Sequence, residues 1–194
     1  FRFATVDLGG VSCVLSRTGY TGEFGYEIYY PIEHTVSFWE RLLADGSVKP
    51  AGLGARDTLR LEVGYPLYGH ELGLERTPVA AARGMFMDMK KEFIGKAACA
   101  RDLAQGCSHY LCGLQLESKR AARAHDVVRA GDEAIGEVTS GSLSPSLGVA
   151  VALAYVRADR CAPGTVVDVE SHGKRLAARV VDVPFYKEGT ARRA

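Results

Sequence analysis

The chain is organised around one stretch, Gly52-Leu53-Gly54-Ala55-Arg56-Asp57-Thr58-Leu59-Arg60-Leu61-Glu62, which predicts a short helix entered through glycine. Arg56 and Arg60 are four residues apart and share one helical face, where two like charges cost roughly 0.2–0.5 kcal/mol if nothing compensates them. Asp57 can compensate Arg60. Arg56 has no such local partner and lies at the helix start, where backbone N–H groups favour anions. Arg56 therefore binds a carboxylate or a polar heterocycle, or it is a solvated arginine paired with a distant acid.

The segment before this helix contains a glycine-rich stretch, Thr18-Gly19-Tyr20-Thr21-Gly22-Glu23-Phe24-Gly25-Tyr26-Glu27-Ile28-Tyr29-Tyr30-Pro31. Its glycine spacing is not that of a nucleotide fingerprint. Its last part alternates as a strand, with Glu27 and Tyr29 on one face and Tyr26, Ile28 and Tyr30 on the other. A carboxylate among aromatic residues meets a cation or accepts from paired N–H donors, because burying it alone is costly. The alternative is an edge strand with Glu27 in water.

The first fifty residues predict a sheet with one helix. Residues 2–6 and 11–16 alternate as a hairpin around the turn at residues 7–10, and a helix is predicted over residues 32–44. The apolar stripe of that helix, which includes Val36, Trp39 and Leu43, is predicted to be core. This order of elements favours an α+β layer.

The region after the central helix predicts loops and two further helices. Thr77-Pro78 is a typical helix start, and a second helix follows Gly95 and runs to Gly106. His70 and Glu71 are adjacent and do not face each other, so we interpret His70 as exposed or bonded to backbone rather than as half of an acid–base pair.

The last part of the chain has the pattern of short strands separated by turns. Strands are predicted over residues 109–116, 126–129, 134–140, 149–156, 165–171 and 175–183, a spacing typical of an antiparallel barrel. The serine-rich stretch at residues 139–148 lacks the ending of a phosphate loop. We expect its hydroxyls to bond the backbone of their own loop.

Composition excludes several classes of function. The 194 residues are 47% hydrophobic and carry a net charge of +1 with acids and bases interspersed, which argues against a nucleic-acid or membrane partner. The five cysteines are scattered without a C-x-x-C pair, which predicts free thiols in a reducing, cytoplasmic compartment and no metal site. The chain opens on Phe1 inside an apparent strand, so we expect it to be part of a larger protein.

Several blocks together resemble the glycine cleavage system T-protein family, the aminomethyltransferases. The resemblance covers the whole chain and rests on the order and spacing of its blocks, which are residues 16–28, 52–62, 67–72, 93–96, 136–141, 144–148 and 180–186. It implies the C-terminal half of a three-lobed α+β fold. Residues 1–50 would belong to a folate-binding lobe, residues 51–106 to a central lobe with the folate-contacting helix, and residues 107–194 to a small C-terminal antiparallel β-barrel.

The resemblance also implies a reaction. A one-carbon unit passes from the aminomethyl group on the lipoyl arm of H-protein to tetrahydrofolate, and ammonia leaves. The pterin-binding carboxylate of the family corresponds to Glu27 and its folate-binding arginine to Arg56, while Tyr68 would line the same cavity. The family's catalytic aspartate has no counterpart in this chain, so no catalytic residue is predicted here.

Three other functions stay open. One is a folate-dependent demethylase, or the folate domain of a fused dimethylglycine or sarcosine dehydrogenase. Another is a non-catalytic folate-binding module, although the related accessory proteins carry a cysteine in the block that matches residues 91–96, where this chain has none. The last is a purely structural fragment. Residues 80–86 depart from the family pattern, so the one-carbon donor is not determined by the resemblance.

Overall fold

The computed structural model describes residues 2–192. Its three α-helices are α1 (Thr35–Leu43), α2 (Leu53–Glu62) and α3 (Lys96–Gln105). Its strands are β1 (Phe3–Asp7), β2 (Ser12–Ser16), β3 (Glu27–Tyr29), β4 (His109–Leu116), β5 (Val127–Ala130), β6 (Glu133–Leu143), β7 (Ala150–Arg157), β8 (Val166–Ser171) and β9 (Lys174–Val181). Short 3₁₀ segments cover residues 32–34, 84–86, 158–160 and 190–192.

The chain divides into two compact units. The first comprises the residues up to 60 together with those from 188 onward, and the second comprises residues 61–187. The division of the sequence into lobes at residues 50 and 106 stays a prediction.

The first unit contains a three-stranded antiparallel sheet in the order β1-β2-β3. The predicted hairpin is confirmed, with Asp7 paired to Ser12 across its turn. Gly9 and Gly10 both adopt positive φ there, and the Gly10 amide donates to the Asp7 carboxylate at 2.9 Å, so the turn uses the residue types that this geometry favours.

Helix α1 is confirmed, but the prediction that its apolar stripe is core is wrong. Within the described residues, α1 buries no side chain, and Trp39 and Val36 are 50% and 70% exposed. Its aromatic contact is a stack between Phe38 and Tyr30, with ring centroids 4.3 Å apart. Periodicity identifies the face that a helix can bury, whereas actual burial depends on which other segments cover that face.

The second unit is built around a closed six-stranded antiparallel barrel in the order β4-β7-β6-β5-β8-β9, which confirms the predicted barrel and the α+β class. Its interior is filled by small and branched side chains, among them Val128, Val138 and Val156. Leu61 of α2 belongs to a second apolar cluster on the barrel, with Leu111, Val151, Leu153 and Tyr155.

The helix predicted from Thr77-Pro78 is wrong, although α3 is confirmed. The Ala80 amide does bond the Thr77 hydroxyl at 3.3 Å, as at a helix start. The segment then forms only turns, because Ala82 adopts a left-handed φ of 53° and the Arg83 amide returns to the Pro78 carbonyl at 2.7 Å. The Thr77 hydroxyl therefore accepts a hydrogen bond within a turn and does not cap a helix.

The interpretation of the serine-rich stretch is confirmed only in part. The Ser142 hydroxyl donates to the Leu143 carbonyl at 3.3 Å, and the Ser144 hydroxyl accepts from the Leu147 amide at 3.1 Å. The protons of the Ser144 and Ser146 hydroxyls go instead to the carboxylate of Glu62, at the end of α2. Such a contact spans more than eighty residues and has no signal in local sequence.

Candidate functional site

Glu27 begins β3 and lies opposite Ser16 of β2 in the sheet register. Residues directly opposite in a sheet point to the same face, so the two side chains are neighbours. The hydroxyl of Thr18, two residues after Ser16, donates a hydrogen bond to Glu27 Oε2. Glu27 is exposed, and no basic side chain among residues 2–192 forms an ion pair with it. Glu27 is therefore an accessible carboxylate that is oriented by a hydroxyl.

Arg56 lies in the first turns of α2, where the Gly52 carbonyl accepts from the Arg56 amide at 3.2 Å. Its guanidinium carbon lies 4.2 Å from the centre of the Tyr20 ring. Within the described residues, no carboxylate pairs with it, so the alternative of a distant acid finds no support there. A ring contact orients the guanidinium and leaves its N–H groups able to donate to a ligand.

The charge pattern of α2 is as predicted. The Arg60 guanidinium contacts Asp57 Oδ1 through Nε at 2.8 Å and through Nη2 at 2.6 Å. Asp57 therefore compensates Arg60, and Arg56 is the arginine of this helix that contacts an aromatic ring instead.

The segment between β2 and β3 contacts both predicted ligand-binding residues of the first unit. Thr18 bonds Glu27, and Tyr20, two residues later, lies against Arg56. The sequence predicts a ligand role for Glu27 in this region but none for Thr18 or Tyr20. A signal was available, because the glycine-rich segment that leads into the strand beginning with Glu27 contains a hydroxyl nine residues before it and a ring seven residues before it.

The segment between β2 and β3 is also ordered by cation–π contacts and by hydrogen bonds to Thr190. Arg17 lies over the rings of Phe24 and Tyr26, at 4.4 and 4.9 Å from their centroids. The Phe24 amide donates to the Thr190 hydroxyl at 2.8 Å, and the Thr190 amide donates to Glu23 Oε2 at 2.9 Å. These contacts order a glycine-rich stretch that would otherwise be free to move.

Tyr68 lies in the second unit, in a turn closed by a bond of 2.8 Å from the Gly69 amide to the Leu72 carbonyl. It is 70% exposed. Its assignment to a folate cavity stays a prediction. His70, nearby in sequence, is exposed and its Nδ1 lies 3.0 Å from the Thr139 carbonyl, so it contacts backbone as expected.

The second unit contains two open cavities. One of about 510 Å³ is lined by residues that include Arg179, Asp182 and Phe185. The other, of about 650 Å³, is lined by polar groups that include Arg76, Asp102 and His109. A hydrogen bond of 2.6 Å from the Thr77 hydroxyl holds the pKa of Asp102 below its usual range. These cavities contain none of the residues assigned to folate.

Among residues 2–192, no group of three or more His, Cys, Asp or Glu side chains is arranged to hold a metal ion. The helices in this part of the chain fall short of the length and hydrophobicity that a membrane span requires. The cysteines are free thiols. Burial, with the neighbouring Cys161, raises the pKa of Cys112 to about 12.

Two family models match the chain in sequence order. The GCVT N-terminal domain matches residues 1–91, and the glycine cleavage T-protein C-terminal barrel domain matches residues 110–187. The chain belongs to the glycine cleavage T-protein family. The barrel described above coincides with the second match, and Glu27 and Arg56 fall within the first.

Relatives of this T-protein chain are named aminomethyltransferases. One from Desulfitobacterium hafniense (strain DSM 10664 / DCB-2) is 44% identical over 191 residues, which cover 96% of the chain and 52% of the relative. One from Symbiobacterium thermophilum is 46% identical over 188 residues, which cover 94% and 50%. The chain thus spans about half the length of these curated relatives.

A solved T-protein structure has the same fold. It is the glycine cleavage system aminomethyltransferase T from Bartonella henselae, which is 36% identical, with a TM-score of 0.87 over 92% of this chain and 51% of that one.

Proposed function

We propose that this T-protein chain is the folate-binding part of an aminomethyltransferase. The complete enzyme would move a one-carbon unit from the aminomethyl-lipoyl arm of H-protein to tetrahydrofolate, with release of ammonia. Tetrahydrofolate supplies the nitrogen that accepts the carbon. The proposal also places the protein in the cytoplasm, with H-protein as its partner.

The observation that carries the proposal is the contact of one short segment, residues 18–20, with both Glu27 and Arg56. A carboxylate accepts from the paired N–H groups on the edge of a pterin, and a guanidinium donates to carbonyl or carboxylate oxygens. The donor set therefore fits a flat heterocycle that carries both kinds of group. Tyr68 would add a hydroxyl and a ring, and no residue of this chain is assigned a catalytic role.

The test is a calorimetric titration of the chain with tetrahydrofolate under anaerobic conditions. Glu27→Ala should raise the Kd about tenfold or more, because the pterin donors lose a charged acceptor. Arg56→Ala should raise it to a similar extent. The matched control for Glu27→Ala is Glu33→Ala, and the control for Arg56→Ala is Lys49→Ala. Each removes an exposed charge of the same sign elsewhere in the first unit and should leave the Kd within about twofold.

Affinity that is unchanged in Glu27→Ala would overturn the folate assignment.

A second measurement concerns the reaction. Mixed with aminomethyl-loaded H-protein and tetrahydrofolate, this chain alone should form no methylene-tetrahydrofolate, because the catalytic aspartate implied by the family resemblance has no counterpart in it. Turnover would show that the chain contains the catalytic group.

A further inference from the structure

Three side chains of the first unit form a hydrogen-bonded series on one side of the sheet. Thr18 Oγ1 lies 3.0 Å from Ser16 Oγ, and it also bonds Glu27 Oε2. Ser16 and Glu27 are register partners on adjacent strands. The series therefore crosses from β2 to β3 at the point where the sheet ends and the glycine-rich segment begins.

The direction of these hydrogen bonds follows from the number of protons. A carboxylate can only accept, and a threonine hydroxyl has a single proton to donate. The Thr18 proton therefore goes to Glu27, and the Ser16 hydroxyl must donate to Thr18. This order uses every hydroxyl proton once, and it leaves the other lone pairs of the carboxylate available to an incoming ligand.

We propose that Thr18, supported by Ser16, is a positioning residue that presents the Glu27 carboxylate to the pterin edge. This inference rests on the proposed function for the identity of the ligand. A glutamate has three rotatable bonds, the last of which is broadly distributed, so an exposed carboxylate without a fixed partner samples many orientations. A hydrogen bond that selects one orientation in advance improves affinity by lowering the entropy cost of binding.

The geometry of the neighbouring residues agrees with this role. Thr18 is half-buried while Glu27 is exposed, so the donor belongs to a partly covered residue and the acceptor to one that a ligand can reach. Tyr20, on the same segment, lies against Arg56. The segment therefore positions both proposed folate ligands, Thr18 through a hydrogen bond and Tyr20 through its ring.

The experiment removes only the hydroxyl. Thr18→Val has nearly the same shape and should raise the Kd for tetrahydrofolate about fivefold. Thr18→Ser keeps the hydroxyl and should stay within about twofold of the unchanged chain. Ser16→Ala, which removes the supporting donor, should have a smaller effect in the same direction. The control is Thr5→Val, an exposed threonine on β1.

A double-mutant cycle separates positioning from a general structural role. In a Glu27→Ala background, Thr18→Val should cause no further loss of affinity, because the carboxylate that it positions is gone. A loss of the same size in both backgrounds would overturn the proposal. Failure of Thr18→Ser to restore affinity would overturn it as well.

A ligand-free measurement keeps this inference separate from the folate assignment. In a chain labelled with ¹³C-glutamate, the Glu27 Cδ resonance, assigned by its loss in Glu27→Ala, should move in Thr18→Val and not in Thr5→Val. A resonance that does not move would overturn the positioning role whatever the titrations show. If it moves but tetrahydrofolate does not bind the unchanged chain, the proposed function fails and the hydrogen-bonded series remains.

Discussion

Glu62 and Ser146 are joined by two hydrogen bonds that use both oxygens of one buried carboxylate. The Ser146 amide donates to Oε1 at 3.0 Å and its hydroxyl donates to Oε2 at 2.7 Å, while the Ser144 hydroxyl reaches Oε1 at 2.5 Å. Glu62 is only 2% exposed. Three donors compensate for the desolvation of the charge and connect the end of α2 to the loop between β6 and β7.

Replacing Glu62 should therefore destabilise the chain strongly. Glu62→Ala leaves two hydroxyls and an amide without their acceptor, and we expect the free energy of unfolding to fall by about 2–4 kcal/mol. Urea denaturation followed by circular dichroism measures this. The control, Glu117→Ala, removes an exposed carboxylate of the same unit and should change the free energy by less than about 0.5 kcal/mol. Equal effects of the two variants would contradict the role assigned to Glu62.

The hydrogen bond from Thr77 to Asp102 predicts a pH-dependent contribution to stability. Because the pKa of Asp102 is lowered in the folded state, its contribution is complete above the unfolded pKa and is lost as the pH falls through the folded pKa. Thr77→Val should be less stable than the unchanged chain at pH 7, and the part of that difference due to Asp102 should disappear in strong acid. Urea titrations between pH 7 and pH 2.5 test this.

The control for that series is Thr165→Val. The Thr165 hydroxyl donates to the Ala162 carbonyl, which does not titrate, so the loss in stability should be the same at every pH. If the loss of unfolding free energy in Thr77→Val is likewise the same at every pH, the hydrogen bond to Asp102 does not cause a pH-dependent contribution to stability.

The thiol of Cys112 should resist alkylation in the folded chain. With a pKa of about 12, only roughly one molecule in 10⁴ carries the thiolate at pH 8, and the side chain is also buried. Treatment with iodoacetamide followed by peptide mass spectrometry should leave Cys112 unmodified for hours. The same treatment in 6–8 M urea, where roughly normal thiol pKa values return, should modify all five cysteines. Rapid labelling of Cys112 without denaturant would contradict its assigned environment.

The sequence by itself determined the elements whose signals are local. The barrel strands, the hairpin at residues 7–10, helices α1 to α3 and the Asp57–Arg60 pair all follow from periodicity, turn residues and spacings of three or four. Family blocks also pointed to Glu27 and Arg56. Such patterns state which face an element can bury and where it can turn, because both depend on neighbouring residues alone.

Only the tertiary structure decided which partners those faces and side chains meet. In the folded chain, Ser144 and Ser146 donate hydrogen bonds to Glu62, and Arg56 contacts the ring of a tyrosine thirty-six positions earlier. Trp39 is half exposed, and the segment after Thr77 turns at Ala82 and does not continue as a helix. The physical reason is that hydrogen-bond and packing partners depend on proximity in space, which the order of residues along the chain does not specify.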